Sequence, residues 1–329
     1  MLIGKFKSNN PLLHIILFLL AILFWIDSFI YFGNVELSSE HQAPLYTFIY
    51  RLLSQYPFWS VLLSFFFMLL QAFMFNRVIT NKNLVDRNSY LPALVFIVLM
   101  SSSFKLVGLQ PFWFANFFLI IALDKIFDDF DEHDTYKEIF NVGLLIGVAS
   151  LFYYPVLWFF VLIWISLIVY YLVNVKSLLA SLLGIFLPYL FVATYYFWFD
   201  KLGVEFREWW SFFQSLFDNP LLLTTFQWVT FSIVGVTTLI ALVAVYGSGL
   251  RDKPVRLRKR HRVLLYFFLI SLVLMVIYFE DLYVNRGIAG LSLAGVLAVF
   301  FQENKKNLWS EFLFTALLIL VLVGKLLQL

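Results

Sequence analysis

Between Phe140 and Val173 the chain runs for 34 residues without an Asp, Glu, Lys or Arg. That is too long for one crossing of a hydrocarbon layer about 30 Å thick, which takes about 20 residues of helix. The run has to fold back on itself, and Tyr154-Pro155 marks the place, because proline disfavours helical geometry in the residue before it. A tight helical hairpin inside a membrane follows. Composition agrees: of 329 residues 62% are hydrophobic and 13% charged, against about 45–50% and about 25% in soluble proteins. Stretches such as Leu12–Phe32 are apolar on every face, which excludes the alternating pattern of a membrane β-barrel. With no cysteine, disulfides, thiolate metal sites and thiol nucleophiles are excluded as well. The chain reads as an all-α, polytopic helical bundle, a single transmembrane domain over 1–329 with no room for a sizeable soluble domain.

Hydropathy predicts eleven spans, near 12–32, 58–76, 90–104, 112–124, 140–154, 155–173, 178–198, 222–246, 263–279, 288–301 and 309–327. The third, fourth, fifth and tenth are short, as tilted helices or a re-entrant pair would be. Basic residues test the alternation independently. The segments on the N-terminal side hold 17 Lys and Arg and the opposite segments six, so the positive-inside rule puts the N-terminus in the cytosol and the C-terminus outside. A bacterial inner membrane is the expected location. Residues 1–32 lack a small-residue cleavage site and read as the first membrane helix rather than a cleavable signal.

Two outer segments are long enough to carry more than a turn, 33–57 and 199–221. In 42–54, Leu45, Tyr46, Phe48, Ile49, Leu52 and Leu53 fall at helical spacing opposite Thr47, Arg51 and Ser54; in 203–217, Phe206, Trp209, Trp210 and Phe213 do the same against Glu205, Glu208 and Gln214. Such amphipathic helices lie in the membrane interface, as anchors or as a lid over a lipid substrate. On the inner side, Asp124–Glu138 carries Asp128, Asp129, Asp131, Glu132 and Asp134 around His133, without the glycine and terminal glutamate of a calcium loop or the paired His of a zinc site. It reads as a solvated acidic loop. The loop 247–262, with Arg256, Arg258, Lys259, Arg260 and Arg262, reads as a topological anchor on anionic lipid rather than a nucleic-acid site.

GxSxG, HExxH, P-loop and dinucleotide-binding contexts are all missing, which argues against serine hydrolases, zincins and nucleotide-driven pumps. Scarce charge within the spans weakens an ion-coupled transporter. Polar residues on the outer side remain. Asp27 ends the first span, Glu36, Glu40 and His41 lie in the first outer loop, Lys105 follows the third span, and Glu280, Asp281 and Arg286 fall between spans nine and ten. A carboxylate at the interface, such as Asp27, can act as general base on an acceptor hydroxyl or hold a divalent cation against a phosphate leaving group. Lys105 or Arg286 can neutralise that phosphate.

A first span ending in an acid, then an interfacial helix around Ala43-Pro44-Leu45-Tyr46, then spans joined by short basic inner loops, resembles the GT-C glycosyltransferases over about residues 12–200. The stretch Asn141-Val142-Gly143-Leu144-Leu145-Ile146-Gly147-Val148-Ala149-Ser150-Leu151 and the later Gly184-Ile185-Phe186-Leu187-Pro188 are similar in layout to the middle spans of those enzymes. The whole chain also resembles a family of multi-pass membrane proteins from Bacteroidetes. The first resemblance implies a GT-C-like core and transfer of a sugar from a polyprenyl-phosphate-linked donor to a cell-envelope acceptor at the outer face. It implies for Asp27 the role of catalytic acid or metal contact, but the acidic pair usual in the family's first outer loop is missing, because Asp27 is followed by Ser28 and Phe29. The one outer Glu-Asp is Glu280-Asp281. A non-catalytic membrane scaffold or assembly factor keeping that fold is the alternative, and a lipid or polysaccharide transporter the third.

Overall fold

A computed structural model describes residues 6, 12–35, 37, 43–103, 106–128, 135–203, scattered positions from 206 to 243, 253–278, 282–303 and 308–326. Among these the chain is all-helical: α1 Leu12–Ile30, a 3-10 turn Phe32–Asn34, α2 Pro44–Leu53, α3 Pro57–Asn81, α4 Leu91–Met100, α5 Pro111–Phe127, α6 Thr135–Ser150, a 3-10 segment Tyr154–Phe159, α7 Phe160–Tyr170, α8 Val175–Trp198, α9 Val255–Ile277, α10 Leu282–Glu303 and α11 Leu308–Leu326. Five helices, α1, α3, α8, α9 and α10, are long and apolar enough to cross a membrane. The eighth expected span, 222–246, lies outside the described residues except at scattered positions.

The helices sort by what they face. In α10 94% of the apolar window is buried inside the protein, whereas in α8 the share is 28% and in α1 33%. Leu183, Phe186, Leu190 and Phe191 of α8, and Leu19, Leu23 and Ile26 of α1, leave large apolar side chains on the outside. Such surface is stable only against hydrocarbon. α10 is the central helix, packed on α4, α5 and α9.

The third expected span is a helix for ten residues only, all of them buried. At 1.5 Å per residue α4 rises about 15 Å, half of a crossing. The described residues among 101–110 are irregular backbone, which is tolerated at membrane depth when protein groups satisfy its polar atoms. They do so here: Ser60 Oγ accepts the Leu109 N–H at 2.8 Å and Trp113 Nε1 donates to the Gly108 carbonyl at 2.9 Å. Gly108 has φ +94°, and a Cβ there would meet Val35 Cγ1 at 2.7 Å, so only glycine fits this bend.

The hairpin forms where Tyr154-Pro155 predicts it, with the 3-10 segment as its bend. Its first arm, α6, makes with α8 the most extensive helix contact among the described residues. A Cβ on Gly143 would lie 2.5 Å from the Ser181 carbonyl and one on Gly147 2.7 Å from that of Ile185, while one on Gly184 would run into the Phe140 carbonyl. This is the small-residue contact of membrane helices, in which the lack of side chains lets backbones approach.

Charged side chains collect at one end of the bundle. Lys82 bridges Asp124 at 2.9 Å and Asp128 at 2.5 Å, and Lys125 pairs with Glu138 at 2.7 Å. Lys253 pairs with Glu303 and lies 3.0 Å from His261 Nε2. Arg260, 8% exposed, donates to the carbonyls of Phe127, the last residue of α5, at 2.7 Å and of Lys82, which caps the end of α3, at 2.9 Å. A cation there meets the negative ends of both helix dipoles. Two expectations are corrected. Residues 255–262 are not loop but the first turns of α9, because Pro254 supplies a helix start and the arginines find partners on neighbouring helices. The described part of Asp124–Glu138 is helix end and paired carboxylate rather than free acidic loop; residues 129–134 lie outside the described set.

Candidate functional site

The groove between the hairpin and α8 has room for a ligand. Its wall on α8 is a stripe at helical spacing, Leu182, Ile185, Tyr189, Val192 and Tyr196; the facing wall is Tyr154, Leu157, Phe160 and Trp164. Its volume is about 840 Å³, near the upper end of the roughly 300–1,000 Å³ usual for ligand sites. Among the described residues that line it none carries a charge.

Both outer amphipathic segments reach this groove. Pro44, at the start of α2, lines it on one side, and Leu202, Gly203, Phe206 and Trp209 line it on the other. α2 is held there by the Leu45 N–H, which donates to the Leu151 carbonyl at 3.1 Å. The neighbouring Tyr46 is 1% exposed and its hydroxyl has no hydrogen-bond partner; burial, with Tyr50 nearby, pushes its ionisation well above the ordinary phenol range. The second segment is turned back by Asp200, in left-handed geometry at φ 51°, with the Lys201 N–H donating to the Tyr196 carbonyl at 2.9 Å. Residues 204, 205, 208 and 211–221 of that segment lie outside the described residues.

The groove grades from dry to hydroxyl-bearing along its length. Trp164 Nε1 donates to Ser181 Oγ at 3.2 Å toward the first half of α8, and Tyr189 shares a hydrogen bond of 2.7 Å with Ser150 Oγ at the end of α6. Behind the 3-10 segment stands a neutral network. Tyr153 donates to Asn285 Oδ1 at 3.1 Å, Asn285 Nδ2 donates to the Tyr278 carbonyl at 2.7 Å, and Trp158 Nε1 donates to the Tyr278 hydroxyl at 2.8 Å. Tyr153 and Trp158 flank the groove residues Tyr154 and Leu157, so the same bend that walls the groove also grips the first turns of α10.

Of the residues expected from sequence, two are described. Asp27 is half-buried near the end of α1, where its Oδ1 accepts from the Ser28 N–H at 2.8 Å and from Ser28 Oγ at 3.3 Å; it is not among the groove-lining residues. Arg286 was expected between spans nine and ten, and it stands instead in the second turn of α10, its guanidinium carbon 6.0 Å from the Tyr283 ring centroid. The helix starts earlier than hydropathy indicates, because Asn285 and Arg286 lower the average of a segment that packing nonetheless makes helical. Glu36, Glu40, His41, Lys105, Glu280 and Asp281 lie outside the described residues. Among the described residues no three His, Asp or Glu side chains come together as a metal site would require.

Sequence reasoning did not single out Ser150, Tyr153, Tyr189 or Asn285. A usable signal was present: Gly143 and Gly147 are four apart, the spacing that lets helices touch. It points to α8 as the partner of α6, and thus to the groove beside that contact. No family model, curated protein or solved structure matches the chain.

Proposed function

We propose that this chain is a membrane-embedded transferase that takes a sugar from a polyprenyl-phosphate-linked donor and passes it to a cell-envelope acceptor at the outer face of a bacterial inner membrane. The observation that supports this most is the uncharged groove of about 840 Å³, covered by both interfacial segments. Hydrocarbon is the occupant such walls favour, at about 25 cal/mol per Å² of apolar surface removed from water. In this reading the charged end of the bundle is cytosolic, by the positive-inside rule, and the groove mouth lies at the outer interface.

The donor's prenyl chain occupies the groove, and its phosphate lies beyond the uncharged walls, neutralised by Arg286 on α10. The acceptor hydroxyl oxygen attacks the anomeric carbon of the sugar, the bond from that carbon to the phosphate oxygen breaks, and polyprenyl phosphate leaves with the bonding pair. The acceptor's proton passes to Asp27 as general base.

Reconstitution in nanodiscs with a polyprenyl-phosphate sugar tests the reading. Asp27→Asn is expected to abolish transfer while leaving membrane insertion and the unfolding temperature intact; full activity in that variant rejects the role of Asp27. A wild-type protein that binds the lipid and transfers nothing to any acceptor favours a non-catalytic scaffold.

A further inference from the structure

A second cavity, of about 340 Å³, opens at the other end of α2 from the groove. Its walls are Tyr50, Leu53 and Ser54 from the last turn of α2 and the residues just after it, Pro57 and Ser60 from the start of α3, and Val35 and Leu37. Three of these side chains carry hydroxyls, and none of the described lining residues is charged. The hydroxyls have hydrogen-bonding capacity to spare. Tyr50 and Ser54 make no side-chain hydrogen bond with any described residue, and Ser60 Oγ, though it accepts the Leu109 N–H, has no described acceptor for its own proton. The cavity is held open by backbone. Gly108 backs onto Val35, Leu37 and Ser60 in a conformation closed to other residues.

We propose that this pocket binds a neutral, hydroxyl-rich group, the pyranose ring of a sugar. A hydroxyl is donor and acceptor at once, and a site lined by hydroxyls beside a phenol ring matches a ligand built the same way. An anion is disfavoured, since entering would strip its hydration and no described lining residue is a cation to replace it. Only α2, about 15 Å long at 1.5 Å per residue, separates this pocket from the lipid groove. The helix thus links an apolar site at Pro44 to a polar one at Tyr50 and Ser54. The assignment rests on the reading of the outer face as a place where a lipid-linked sugar is handled, and it names where the sugar part is held.

The test is saturation-transfer NMR on the full-length protein in nanodiscs with glucose, N-acetylglucosamine and glucuronate as probes. A neutral sugar is expected to give signal and glucuronate a weaker one. Ser54→Ala and Tyr50→Phe should each weaken the neutral sugar about three- to tenfold, the worth of one hydrogen bond, and the pocket-filling Ser54→Phe should remove it. Ser54 is exposed, so these variants are expected to keep the wild-type unfolding temperature and lipid binding. No neutral-sugar signal, a preference for glucuronate, or a signal that survives Ser54→Phe overturns the assignment. Photo-cross-linking to a polyprenyl phosphate, measured on the same samples, separates the two readings. Lipid capture without sugar signal sinks the pocket and leaves the groove, and sugar signal without lipid capture sinks the groove and leaves the pocket.

Discussion

At the charged end of the bundle Lys82, Lys125, Lys253 and Arg260 are each spent on a carboxylate or a helix-terminal carbonyl. At the opposite end Tyr153, Trp158, Tyr278 and Asn285 hold the helices with uncharged hydrogen bonds, and both cavities open there among hydroxyls. The difference separates support from function. Charge that is fully paired ties helix ends together, whereas hydroxyls at a cavity rim have capacity left for a ligand. The long basic run is the most conspicuous feature of the sequence, yet in the structure its most buried member, Arg260, is a fastener.

Three substitutions and one control sharpen the contrast, beginning with the frame that both ends share. Gly184→Leu drives a side chain into the Phe140 carbonyl and should cost about 3 kcal/mol or more, by overpacking; the melting temperature in detergent should fall sharply, and an unchanged value would refute the α6–α8 crossing. At the charged end, Arg260→Leu leaves two helix-terminal carbonyls unpaired and is expected to cost about 2–3 kcal/mol in chemical unfolding. Arg256→Leu, at an exposed position whose bond to the Asp128 carbonyl is long at 3.4 Å, should cost under about 0.5 kcal/mol. Equal losses would break the claim that Arg260 fastens α3 to α5. At the groove, Tyr189→Phe removes the hydroxyl bond to Ser150 and should lower stability by about 1 kcal/mol, less than Gly184→Leu or Arg260→Leu and more than the Arg256→Leu control.

Much of this arrangement is legible in the sequence because it follows from length and polarity. The hairpin at Tyr154-Pro155, the helix near 42–54 and the limits of α1 come from apolar run length, a proline and helical spacing. What is hidden has identifiable causes. The early end of α4 at Met100 is one such feature, because the backbone at Gly108 and Leu109 is held by hydrogen bonds to Trp113 and Ser60 that no local pattern announces. α10 begins at Leu282 despite Asn285 and Arg286, since burial against α4, α5 and α9 outweighs local hydropathy. The groove is built by apolar residues that look like any lipid-facing stripe until α6 and α8 meet. Asp27 is visible as an acid at a helix end, and the described geometry adds its bonds to Ser28. Most of the other expected outer polar residues lie outside the described residues.

The central claim is that a prenyl chain occupies the groove between the hairpin and α8. A photoreactive polyprenyl phosphate, incorporated in nanodiscs and mapped by mass spectrometry, tests it most directly. The account predicts adducts on Leu157, Trp164, Leu182 and Val192, reduced at least about tenfold in Ala193→Trp, which fills the groove at a cost to binding of about 1.4 kcal/mol or more. Adducts spread evenly over the exposed faces of α1 and α8, and unchanged by Ala193→Trp, would contradict it.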